Sequence, residues 1–158
     1  MKIAYINPVG GLSGDMLVAA LLEGGGNEDL LFQNLRKLSL PNWKWQRNEE
    51  TRCGFGGCKI DFVIDNHKEE DVRHLSEIIH IIKDAHFPAA AEETALNTFS
   101  LLADAEAKAH RLNREQIHFH EVGATDTILD ICAVSLLVHD LCLERIVCSP
   151  LPMGCGSV

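Results

Sequence analysis

Residues 43–65, "WKWQRNEETRCGFGGCKIDFVID", settle the fold class, because they place a hairpin where a regular α/β chain would place a helix. In 58–65, Ile60, Phe62 and Ile64 alternate with Lys59, Asp61 and Asp65. That period of two is the mark of a strand with one face buried. The natural antiparallel partner is "WKWQRNE", with "CGFGG" near the connection. Cys53 and Cys58 bracket the "GFGG" turn. A cross-hairpin encounter of the two is open to them, but coincidence is the simpler reading.

Working outward, "KIAYI" (2–6) reads as a buried strand that enters the glycine loop "NPVGG". Ser13 then predicts an N-cap for a helix from about Gly14 to Glu23, which "GGGN" terminates. A loosely amphipathic stretch (29–38) leads to Pro41. Beyond the hairpin, Val72, Leu75, Ile78, Ile79 and Ile82 share one face of a helix from about residue 71. Pro88 starts the next helix, which runs to about His110 with Glu92 and Glu93 at its positive end. "GATD" opens another helix whose apolar run, Ile128 to Leu143, is interrupted by Asp130 and His139, and "RIVCS" (145–149) is a last strand. The expected order is β-α-β-β-α-α-α-β: an α+β, or irregular α/β, domain with a small mixed sheet that includes the hairpin and about four helices.

The 158 residues suffice for one domain with a real core. A 46% hydrophobic composition and no membrane-length apolar run predict a soluble chain, expected in the cytoplasm. With 14 basic against 23 acidic residues the net charge is −9, which repels nucleic acid and attracts divalent cations. Eight histidines add ligands suited to borderline transition metals. The six cysteines form no C-x-x-C pair, so a structural zinc knuckle is not expected.

The chemistry concentrates in "HFHEVGATDTILD", residues 118–130. If "IHFHE" is extended, His118 and His120 point to one face and Phe119 to the other. Glu121 follows at the bend. Asp126 and Asp130 are four apart on the following helix and stack on one stripe, with Asp126 near the positive helix end. Asp130 interrupts an apolar run: it either marks a solvated stripe or is a buried carboxylate that needs a partner or a cation. Upstream, Phe99, Ala103, Glu106 and His110 continue one helical stripe, so Glu106 and His110 are expected on a core-facing side. They either pair with each other or face the His118/His120 strand. His67, His74, His80 and His86 read as solvated surface. The loop "NPVGGLSGDM" (7–16) offers backbone amides at a helix start that can hold a phosphate, but it lacks the lysine and spacing of known phosphate motifs. A tight turn capped by Ser13 is the plainer account.

"GLSGDM" after an N-terminal strand, then "LADAEAKAH", "IHFHEVGATDTILD" and "SPLPMGCG" in that order, resemble the LarC family of nickel-insertion proteins. The resemblance runs from about residue 2 to 156 and is densest over 100–132. It implies loading of Ni(II) into the pyridinium bisthiocarboxylate mononucleotide of the nickel-pincer cofactor, with CTP and a divalent cation used by a separate C-terminal, nucleotide-binding region. It matches Ser13, Gly14 and Asp15 to the family's S-G-D, Glu106 and His110 to its E-x-x-x-H, and His118, His120, Glu121, Asp126 and Asp130 to its H-x-H-E and D-x-x-x-D. Asn7 departs from the usual Asp, and a histidine tract that many members carry is reduced to His67.

The expected roles follow. His118, His120, Glu106 and His110 are metal ligands. Glu121, Asp126 and Asp130 act in catalysis, one of them as proton acceptor. Ser13, Gly14 and Asp15 hold the mononucleotide. The chain is then an N-terminal domain, truncated or split from its C-terminal half, and part of a chelatase of the lyase class. Expected partners are the pyridinium mononucleotide and that C-terminal half, with self-association left open and no nucleic acid or membrane. Two alternatives stand beside this: a metal-dependent hydrolase, and a non-catalytic metal-binding or assembly domain.

Overall fold

The computed structural model describes residues 1–41, 43–64, 73–119 and 124–151. Its elements are β1 (Ile3–Ile6), α1 (Gly14–Glu23), α2 (Glu28–Leu35), β2 (Trp43–Arg52), β3 (Phe55–Ile64), β4 (Arg73–His74), α3 (Leu75–Asp84), α4 (Ala89–His110), a 3₁₀ turn (Arg114–Gln116), β5 (His118–Phe119), α5 (Thr125–Asp140) and β6 (Arg145–Cys148). The fold is α+β, as the hairpin demands.

Two features differ from the expectation. Among the described residues there are five α-helices rather than about four, because the 29–38 stretch folds as α2. Asn27 caps it: its side-chain oxygen accepts from the Leu30 amide at 3.0 Å, and Glu28 and Asp29 occupy the positive first turn. The strands also form three separate pairs instead of one mixed sheet: parallel β1–β6, antiparallel β2–β3 and antiparallel β4–β5.

The hairpin pairs ten residues on each side, from Trp43↔Ile64 to Arg52↔Phe55. Cys53 (φ 51°) and Gly54 (φ 83°) form its two-residue turn, the left-handed geometry whose twist matches paired strands. The turn therefore takes only the first residue of "GFGG", and Phe55, Gly56 and Gly57 belong to β3. Cys58 sits opposite Glu49 well inside the ladder, and both Cys53 and Cys58 are free thiols. On the hairpin's inner face Trp45 meets Phe32 of α2 edge-on, with ring centroids 4.3 Å apart, and tilts against Phe62 at 5.3 Å. Arg47 reaches Glu23 of α1 at 2.7 Å and Glu28 of α2 at 2.6 Å, tying the hairpin to both helices.

The core lies where α5 packs against α1 and α4, with β3, α2 and α3 around it. Val18, Leu35, Ile78, Ile82, Phe99, Ile128 and Leu129 are fully buried there. At roughly 25 cal/mol per Å² of apolar surface, this burial dominates the favourable terms in folding. α5 is central, packed against α1 and α4, and Thr125 and Ile128 in its first turns are buried. That fixes the position of Asp126 and Asp130.

Candidate metal and cofactor site

The N-termini of α1 and α5 meet at Gly14. A Cβ at that position would lie 2.5 Å from both Cβ and Cγ of Asp130, so only glycine lets the two helices approach this closely. Asp15, next along α1, accepts hydrogen bonds at Oδ1 from the Ser13 hydroxyl and from the Met16 amide, the latter at 2.8 Å. Ser13 occupies the N-cap position as expected, but its hydroxyl serves the Asp15 carboxylate and makes no side-chain cap bond. Asp126, in the first turn of α5, accepts from the Thr127 amide at 2.7 Å.

Asp130 is the exceptional group. It is half-buried, and its Oδ1 is shut off from solvent with no hydrogen-bond partner among the described residues. Burial, reinforced by the negative charges of Asp15 and Asp126, pushes its carboxyl up to about 7. Of the two readings open in the sequence, the buried carboxylate is the one realised. Three acids from two helix starts thus share one field, which favours the protonated form of Asp130.

The histidines fall elsewhere. In β5 the Phe119 side chain is buried and His118 is exposed, as alternation requires. β5 pairs with β4 in the register His74↔His118, and the two imidazoles sit 4.1 Å apart, tilted by 51°. The expectation that His74 lies on the solvated side of a helix is therefore corrected. It precedes α3 as the last residue of a short strand, half-buried, where the Glu77 carboxylate accepts from its amide at 2.6 Å. Nothing local in the sequence marks it; only the cross-strand partner does. His80 and His86 are exposed as expected, while His67 lies outside the described residues. Arg73 donates to the hydroxyl of Thr125 at 3.3 Å, joining β4 to the start of α5.

Glu106 and His110 do not continue the core-facing stripe. Phe99 and Ala103 are fully buried, Glu106 is half-buried and His110, at the end of α4, is exposed. The pair bond to each other at 3.2 Å, the simpler of the two arrangements open to them. His120 and Glu121 lie outside the described residues. Among the described residues, no three histidines, cysteines or acids are arranged to hold a metal ion.

A phosphate at the start of α1 would meet the negative field of Asp15, Asp126 and Asp130. The field there suits a cation.

The chain belongs to the nickel insertion protein family, whose model matches residues 4–158. It is 36% identical over its whole length to a pyridinium-3,5-bisthiocarboxylic acid mononucleotide nickel insertion protein of Geobacillus kaustophilus, covering 40% of that protein. It is 38% identical over its whole length to a protein of the same description from Desulfitobacterium hafniense, covering 39% of it. A putative nickel insertion protein of Myxococcus xanthus is 36% identical over 99% of this chain and 40% of its own length. The chain thus spans about two fifths of the relatives it matches. No solved structure matches it.

Proposed function

We propose that this chain is the metal-handling part of a protein that inserts nickel into pyridinium-3,5-bisthiocarboxylic acid mononucleotide, the reaction that the names of its Geobacillus and Desulfitobacterium relatives describe. The observation that carries the reading is Asp130, whose buried Oδ1 has no partner among the described residues and whose charge is opposed by Asp15 and Asp126, although the three are not themselves arranged as a ligand sphere. A half-buried carboxylate beside two others is costly, and a divalent cation removes that cost.

Nickel is cargo here, held and released. Asp15, Asp126 and Asp130 are hard oxygen donors that attract the hydrated ion without holding it as tightly as sulfur does. His118 and His120 supply imidazoles from the segment that leads to α5, His118 beside His74 on the paired strand. Glu106 and His110 form a surface pair able to take up the ion on its way. The thiocarboxylate sulfurs of the substrate are softer ligands and retain nickel once engaged. Asp130, poised near pH 7, and Glu121 are the groups suited to accept a proton while ligands exchange. In this reading Gly14 sets the helix spacing and Asp15 belongs to the cation site, while Ser13 orients Asp15. Use of CTP with its divalent cation falls to polypeptide outside this chain.

The test is a calorimetric Ni(II) titration of the metal-stripped chain against Asp126→Asn/Asp130→Asn and His118→Ala/His120→Ala. Each pair should weaken binding by about tenfold or more, equivalent to 1.4 kcal/mol. Unchanged affinity and stoichiometry in both double variants would refute the assignment.

A further inference from the structure

β1 and β6 form a parallel pair in the register Ile3↔Arg145 to Ile6↔Cys148. The ladder is extended at its ends by the Glu144 amide donating to Lys2 and the Ser149 amide donating to Ile6, both at 2.9 Å. Parallel strands are ordinarily buried on both faces, and two strands alone are marginal in water. Here none of the eight residues is fully buried. Ile3 is 47% exposed and Tyr5 66% on one face, and Ile146 is 46% exposed on the other. Among the described residues no third strand pairs with either outer edge.

Beside this pair runs an apolar groove of about 850 Å³, between β1, the loop that follows it and one side of α1. Val9, Leu12 and Met16 are exposed along it. Exposed apolar side chains on both faces, an apolar groove alongside and open strand edges are what an unfinished sheet presents. The relatives carry about three fifths of their length beyond the part matched by this chain, enough for the strands and helices that would finish it.

We propose that the β1–β6 face is the docking surface for that additional polypeptide, which adds a strand to an edge of the pair and seats apolar side chains in the groove beside α1. The occupant is apolar and strand-forming, because the face offers unpaired backbone groups and hydrocarbon with little charge. Docking there places the added polypeptide against the loop that leads to Gly14 and Asp15. The inference is independent of which ion the acid cluster holds.

Hydrogen exchange read by mass spectrometry tests it on two proteins: the 158-residue chain, and a chimera in which this chain replaces the matched part of the Geobacillus protein. Peptides covering residues 2–6 and 145–149 should exchange rapidly in the chain and about tenfold or more slowly in the chimera, with the protection lost in Tyr5→Lys/Ile146→Lys. Equal exchange in the two proteins overturns the proposal. So does concentration-dependent protection in the chain alone that the double variant abolishes, since a second copy would then be the occupant. The chain alone also decides if the chimera does not fold. There Tyr5→Lys/Ile146→Lys should unfold at the same urea midpoint as the wild type, and a large loss of stability would show a face already packed internally.

Discussion

Replacing Asp130 by asparagine removes the charge while keeping the shape, and should stabilise the metal-free chain in a pH-dependent way. The carboxyl is raised from 3.8 to about 7 by burial and by Asp15 and Asp126. Each pKa unit corresponds to about 1.4 kcal/mol, giving a ceiling of about 4 kcal/mol. The group is only half-buried, so solvent screening reduces this to roughly 2 kcal/mol. The sign follows from proton counting. Below pH 3.8 the group is protonated in both states and imposes no penalty. Between 3.8 and 7 the unfolded chain has lost the proton that the folded chain keeps, so stability falls as pH rises. Above 7 the full penalty is present. In EDTA, Asp130→Asn should therefore gain roughly 2 kcal/mol at pH 8, a shift of about 1 M in urea midpoint, and about a third of that at pH 5. Adding Ni(II) at pH 8 should narrow the difference by stabilising the wild type alone. Equal midpoints at both pH values, or a less stable variant at pH 8, would show that the folded state satisfies this carboxylate without a cation.

Three further outcomes are expected. Gly14→Ala should lower stability by about 1–3 kcal/mol in urea unfolding, because its methyl group overlaps Asp130 and outweighs alanine's helix preference of roughly 0.5–1 kcal/mol. Phe99→Ala, which empties a fully buried position facing α5, should cost about 3–5 kcal/mol in the same measurement. In thiol labelling of the native chain followed by peptide mass mapping, exposed Cys53, Cys142 and Cys148 should react fast. Cys132, fully buried in α5 with its thiol pushed far up by burial, should react only on unfolding.

Local pattern carries most of the fold here. Ser13 and the "GGGN" stop bound α1 correctly, and the alternation of Ile60, Phe62 and Ile64 locates β3, because these signals depend only on near neighbours. α2 is less visible, since its stripe of Leu31, Asn34 and Leu35 contains a polar residue that the helix itself satisfies: the Asn34 amide donates to the Leu30 carbonyl at 2.9 Å. The two-residue strands β4 and β5 exist only through each other, which is why His74 reads as surface until His118 is placed beside it. A helical wheel likewise cannot show where the core ends along a 22-residue helix, so His110 projects as core-facing although it is exposed at the end of α4, while Glu106 is half-buried.

The acid cluster shows how position in the fold turns ordinary residues into a site. Asp15 and Asp126 alone are unremarkable first-turn acids, each favoured by its own helix dipole. What changes their meaning is Gly14, which lets α1 approach α5 until Asp15 and Asp130 share a field. Bringing like charges together there opposes folding, and an asparagine at 130 would relieve part of it by removing a charge. With glycine and aspartate at this junction, a carboxylate oxygen without a partner among the described residues sits near the start of the central helix α5. Under the proposed function, the affinity of any cation held there is bounded by the same energy that this junction withholds from stability.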